Sequence, residues 1–305
     1  MGLAVDNRRI AIGTRKQIHF LVPAHATQQG QDYYDGCFVP RSSFYTGSIH
    51  GHDLVWGGDG LWIVNTLFSS LATLHDDYSF VPQCRPPFVS QLIDQDRCHL
   101  NGLAIGNGRP RFVSAMSETD TAAGWRPNKA TSGVVLDVAT GQVVCRGLSM
   151  PHSPRLHGGR LWILNSGLES VGWVDPVTGK YECVENLPGY TRGLSFCGQF
   201  AFVGLSKIRE TAVFGGVPIA ERRENCDVEL ALSESTMMDC FLSSESLEAT
   251  DSQTQYTELL IKLPSLGIDY ERPVLRNAAK IREQLGLPID RNLYACPQTL
   301  FWWWE

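Results

Sequence analysis

Met150-Pro-His-Ser-Pro-Arg-Leu-His-Gly-Gly-Arg-Leu-Trp-Ile-Leu-Asn-Ser166 is the stretch on which the reading of the chain turns. It holds an extended run, a Gly-Gly turn and a second apolar run ending in Asn-Ser. Nearly the same phrase stands at His52-Asp-Leu-Val-Trp-Gly-Gly-Asp-Gly-Leu-Trp-Ile-Val-Asn-Thr66, and looser copies start at His99 and Arg192. A fifth copy, shorter at its left end, is Gly2-Leu-Ala-Val-Asp-Asn-Arg-Arg-Ile-Ala-Ile-Gly13. The starts at 52, 99, 152 and 192 are 40 to 53 residues apart. Strand-turn-strand units recurring at about 40–50 residues are the signature of propeller blades. The fold class expected is therefore all-β: a β-propeller of four-stranded blades in an incomplete ring, followed by a small α/β fragment.

Outward from these phrases the remaining strands fall into place. Residues 70–74 and 78–81 complete one blade, with Asp76-Asp77 as the turn. Residues 133–138 and 142–146 complete the next, after a long excursion over 118–132. Residues 171–174 and 180–184 complete a third around Asp175-Pro-Val-Thr-Gly179, where Pro fixes φ and Gly tolerates φ > 0. After Cys226 the alternation stops. The domains expected are a propeller over 1–226, an irregular linker over 227–255 that is polar, Ser-rich and acidic, and an α/β fragment over 256–305. In that fragment Leu275, Ala278, Ile281 and Leu285 carry helical spacing.

Two resemblances overlay this reading. The words Phe38-Val-Pro-Arg-Ser42, Asp96-Arg-Cys-His-Leu-Asn-Gly102, Leu148-Ser-Met-Pro-His-Ser-Pro154 and Val203-Gly-Leu-Ser-Lys-Ile-Arg-Glu210 resemble a bacterial family of conserved hypothetical proteins often fused to tetratricopeptide repeats. That resemblance covers about 1–226 and implies no activity. It implies that the chain enters inside a blade and lacks a closing blade. The words Met238-Asp-Cys-Phe-Leu-Ser-Ser-Glu245, Tyr270-Glu-Arg-Pro273 and Tyr294-Ala-Cys-Pro-Gln298 resemble bacterial O-GlcNAc-transferase-like glycosyltransferases. This second resemblance covers about 233–301, the crossing between the two nucleotide-binding-type halves of such enzymes. It implies a glycosyltransferase-like fragment without a complete transferase site.

The 305 residues are 43% hydrophobic and 19% charged, which suits a folded core. A net charge of −6 speaks against a nucleic-acid partner, which would leave a basic face. Nine cysteines, an odd number without a Cys-x-x-Cys, speak against a disulfide framework or a zinc knuckle. With no signal-peptide pattern and no apolar run of membrane length, the expectation is a cytoplasmic protein with no membrane partner. Open strand edges would invite association. A phosphate loop, a His-Glu-x-x-His pair and a nucleophile elbow are all missing from the sequence.

The candidate chemistry is carried by His52, His99 and His152, which the repeat alignment puts at the same step of the first strand in three successive units, where a propeller lines its channel. Three imidazoles there can hold a divalent metal or act as general acid and base. The alternative is structural, with each ring tying neighbouring blades through both nitrogens. Arg192 takes the histidine's place in the next copy and favours an anionic substrate group. Asp53, Asn101, Ser153 and Arg155 follow these residues and would line the same mouth. Trp125 and Arg126 lie on the excursion as a possible lid, beside Glu118 and Asp120. Lys207, Arg209 and Glu210 form a charged rim. The functions that fit are an enzyme or binder acting on a small anionic molecule in the channel, a non-enzymatic scaffold holding a peptide or partner domain, or an accessory to protein glycosylation.

Overall fold

The computed structural model describes residues 2–6, 9–23, 38–187, 189–197, 200–206, 215–220 and 237–242. Among the described residues nineteen strands fall into five antiparallel sheets. Blade one is β1 (Leu3–Asp6), β2 (Arg9–Gly13), β3 (Gln17–Pro23) and β4 (Phe38–Tyr45). Blade two is β5 (Gly51–Gly57), β6 (Gly60–Asn65), β7 (Ser70–His75) and β8 (Tyr78–Cys84). Blade three is β9 (Leu100–Gly106), β10 (Arg109–Ala115), β11 (Gly133–Asp137) and β12 (Val143–Leu148). Blade four is β13 (Pro151–His157), β14 (Arg160–Asn165), β15 (Ser170–Val174) and β16 (Tyr181–Asn186). Blade five is β17 (Tyr190–Cys197), β18 (Phe200–Ser206) and β19 (Met237–Leu242). First strands neighbour first strands in the order β1, β5, β9, β13, β17. The molecule is a β-propeller with four four-stranded blades and, among the described residues, three strands of a fifth.

The repeated phrase accounts for this directly. In Trp62-Ile-Val-Asn65 and Trp162-Ile-Leu-Asn165 every residue is buried, because a second strand packs against blades on both of its faces. Between blades two and three lie Trp62, Val64, Leu71, Leu100, Leu103 and Val113, and between four and five Trp162, Leu164, Val171, Leu194 and Val203. Each such side chain contributes about 1.5–3 kcal/mol through burial. The hydroxyl after each Asn reaches the next blade: Thr66 Oγ donates to the Leu100 carbonyl and Ser166 Oγ to that of Thr191, both at 2.6 Å.

Polar residues also join the first strands. Asn101 on β9 donates to the Pro151 carbonyl at 2.8 Å and accepts from Ser114 Oγ at 2.6 Å. Beside it, a Cβ on Gly102 would overlap the Pro154 ring and meet Ser114 Oγ at 2.8 Å, so blades three and four approach closely only because that position is glycine. Asn101→Ala should cost about 2 kcal/mol, since it strands one buried hydroxyl and one buried carbonyl. Urea unfolding of the variant checks this, and a loss under about 0.5 kcal/mol would contradict it.

Three expectations need correction. The first blade has four strands, with β1 as its channel strand, where the resemblance implied a blade entered part-way. The strand expected over 78–81 runs on through Pro82 to Cys84, because an outer edge strand tolerates a missing N–H. Strand β19 lies inside the segment read as linker and pairs with β18 from Ala201↔Leu242 to Ser206↔Met237. Its sequence, Met-Met-Asp-Cys-Phe-Leu, is a short apolar run in a polar neighbourhood. The rest of 227–255 and all of 256–305 lie outside the described residues.

Candidate functional site

The strand register places the three histidines differently from the repeat alignment. Gly51↔Asn65, Leu100↔Ala115, Pro151↔Asn165 and Tyr190↔Ser206 are equivalent pairs. His52, Asn101, His152 and Thr191 therefore share one position, the second residue of each channel strand. His99 stands one residue before β9, equivalent to His50 and Met150. All three of those residues have left-handed backbone, with φ of 50°, 50° and 48° for His50, His99 and Met150. Arg192 is equivalent to Asp53, Gly102 and Ser153, not to the histidines.

The left-handed turn nevertheless swings His99 into the cluster. The His52 ring lies 5.2 Å from that of His99, edge to face at 80°, and 5.7 Å from that of His152. His99 rests on Trp125 at 4.2 Å, and His152 meets Tyr190 edge-on at 5.7 Å. Met116, Trp125, Met150, Tyr190, Val217 and Ile219 form an apolar cluster beside these rings. The excursion thus brings Trp125, only 2% exposed, against the His99 ring.

Each outer histidine is held by its Nδ1. In His99 this atom sits 2.9 and 3.1 Å from the two Asp96 oxygens. Asp96 Oδ2 also accepts from Trp125 Nε1 at 3.1 Å. The next residue, Arg97, pairs with Asp120 at 2.6 Å and fixes the excursion at its other side. In His152, Nδ1 sits 2.8 Å from the Met150 carbonyl oxygen and 3.0 Å from Ser166 Oγ. His152 is 2% exposed and its Nε2 is buried with no hydrogen-bond partner.

The electrostatics follow from burial and one cation. Burial first, then the Arg192 guanidinium and His99, holds both His52 and His152 well below the usual imidazole range. Burial pushes the Tyr190 phenol up to about 12, against the pull of Arg192. The site therefore holds two neutral imidazoles beside a fixed positive charge. No ion pair joins Arg192 to a carboxylate of the described residues.

Other expected site residues are committed elsewhere. Asp53 Oδ2 accepts from the Leu103 N–H at 3.2 Å and from Arg155 at 3.1 Å, while Arg155 also donates to the Leu103 carbonyl at 3.0 Å. With Asn101 these residues tie blades together. Ser153, at φ 50°, sits in the bulge beside His152. Arg126 is exposed and covers the Trp125 ring at 5.1 Å. Lys207, Arg209 and Glu210 lie outside the described residues. Among the described residues no three His, Cys, Asp or Glu are grouped to hold a metal ion, so the divalent-metal expectation for His52, His99 and His152 is not carried forward.

Asp96, Ser166 and Tyr190 were missed by sequence reasoning. Asp96 had a signal in its spacing of three from His99, and Ser166 in the repeated Asn-Ser/Thr ending. Tyr190 had none.

A family model described as a domain of unknown function (DUF4915) matches residues 1–246. No curated protein matches the chain. Among solved structures, the computationally designed Ika8 protein is similar at 12% identity and a TM-score of 0.38 over 67% of this chain and 54% of that one. Kuenenia stuttgartiensis hydrazine synthase is similar at 13% identity and a TM-score of 0.39 over 67% and 61%. The chain thus spans less than two thirds of either.

Proposed function

The chain belongs to the DUF4915 family, and we propose that it binds a small anionic molecule at the histidine cluster of its channel. Arg192 supplies the charge, and His52, His99 and His152 supply the polar contacts. Held by Asp96, His99 is the ring placed to move a proton if the bound molecule reacts. The observation that carries this reading is the buried, unpartnered Nε2 of His152 beside a guanidinium with no described counter-ion. Buried polar atoms are satisfied in stable proteins, so an orphan acceptor on a ring that also feels the Arg192 charge supports a ligand position. The burial of His152 favours a small molecule over the alternative, a scaffold holding a peptide or partner domain.

Acetate is a sufficient probe. Titrated into the full chain, it should bind, and Arg192→Met should weaken that binding by about ten- to a hundredfold, the worth of a charge-assisted hydrogen bond. Equal affinity in both proteins, or none in either, would overturn the reading.

No helix among the described residues is long and apolar enough to cross a membrane. Cys84, Cys98, Cys145 and Cys183 are free thiols, which supports a reducing, cytoplasmic setting. A glycosylation accessory role rests on the words of 233–301 alone.

A further inference from the structure

The tautomer of His152 narrows the ligand. Its Nδ1 faces the Met150 carbonyl oxygen, which only accepts, so Nδ1 carries the proton. Ser166 Oγ donates its own hydrogen to the Thr191 carbonyl at 2.6 Å and therefore also meets Nδ1 as an acceptor. Burial and Arg192 keep the ring neutral. A neutral imidazole protonated at Nδ1 presents a bare lone pair at Nε2. That atom is buried and unpartnered, so its complement must be a donor.

A plain carboxylate or a keto acid offers only acceptors and would leave Nε2 unsatisfied. An ammonium group offers donors, but it would set a second cation beside Arg192. A hydroxyl donates without charge. The apolar cluster of Met116, Trp125, Met150, Tyr190, Val217 and Ile219 limits size on this side.

We infer that the ligand is a small hydroxy acid, whose carboxylate meets Arg192 and whose hydroxyl donates to His152 Nε2. The inference rests on the anion-binding reading above and adds a donor to it. His99, with Nδ1 likewise turned to an acceptor-only carboxylate, leaves its Nε2 as a second ring position for such a ligand.

The test compares lactate, propionate and pyruvate, three carboxylates of similar size, by calorimetric titration of the full chain at neutral pH. Lactate should bind about tenfold more tightly than either of the others, the effect of one net hydrogen bond. In His152→Asn the amide nitrogen still donates to the Met150 carbonyl while Nε2 is gone, and the three affinities should converge. If lactate, propionate and pyruvate bind equally to the unaltered protein and all are lost in Arg192→Met, the hydroxyl inference fails and the anion site stands. Should none bind, both readings fail. A lactate preference that survives His152→Asn assigns the hydroxyl to another group and overturns the proposal. The comparison of lactate with pyruvate needs no variant, so it decides the matter even if His152→Asn does not fold.

Discussion

Asp53→Ala is expected to lower stability by about 3 kcal/mol, the lower end for breaking a buried ion pair. One carboxylate serves three blades here. Asp53 on β5 accepts from the Leu103 N–H on β9 and from Arg155 on β13. It also accepts from its neighbour's N–H, that of Leu54, at 3.0 Å. Its removal leaves Arg155, only 23% exposed, hydrogen-bonded to carbonyl oxygens but without its counter-charge. The Leu103 N–H loses its acceptor at the same time. Asp53→Asn keeps one acceptor oxygen and should cost roughly half as much. The control is Glu118→Gln, which breaks the pair with Arg146, where the side chains are 33% and 61% exposed. That change should stay within about 0.5 kcal/mol. Urea denaturation of the three variants decides it. A loss below about 1 kcal/mol for Asp53→Ala would show that blade packing alone sets the first-strand spacing.

The blades were legible because each repeated phrase combines two strong local signals. A Gly-Gly or Asp-Gly turn separates two runs, and the second run is continuously apolar, as a strand buried on both faces must be. Blades two and four even keep a constant offset of one hundred, so that Trp62, Asn65 and Ser70 match Trp162, Asn165 and Ser170. Blade five was harder. Its third strand, β19, is separated from β18 by about thirty residues of chain, and six residues of an apolar run do not announce a strand against that background.

The site was half legible. Three histidines near three strand starts do converge, as their recurrence suggested, but they converge from two different positions. His52 and His152 share a step of the strand. His99 arrives through a left-handed residue placed just before β9, a conformation that a non-glycine residue rarely adopts and that no alternation pattern encodes. The neighbouring residues show the same limit. Asp53, Asn101 and Arg155 looked like a channel lining because they are polar and follow the histidines. In the fold they point between blades, where a bulge in each first strand re-aims the side chains.

Acid is expected to destabilise the protein steeply just below pH 6.5, and the cause is the same pair of rings that frames the ligand site. His52 and His152 are held well below their usual range in the folded chain, by burial first and by Arg192 second. In the unfolded chain both return to about 6.5. Between those limits the unfolded state binds up to two protons that the folded state refuses. Stability then falls as pH falls, by up to about 2.7 kcal/mol per pH unit for the two groups together. Above pH 7.5 both rings are neutral in either state and the slope vanishes. The surrounding charges do not offset this, since Asp96 is engaged by His99 and Trp125, and Arg192 and the amino terminus both oppose protonation of the two rings. His152→Asn should remove about half of the slope. Arg192→Met should shallow it as well, because it lifts part of the penalty on protonating both rings. Urea unfolding at pH 7.5, 6.5 and 5.5 measures the slope directly. A flat profile across that window would mean that the histidines protonate inside the fold, and with it the neutral Nε2 acceptor of His152 would be lost.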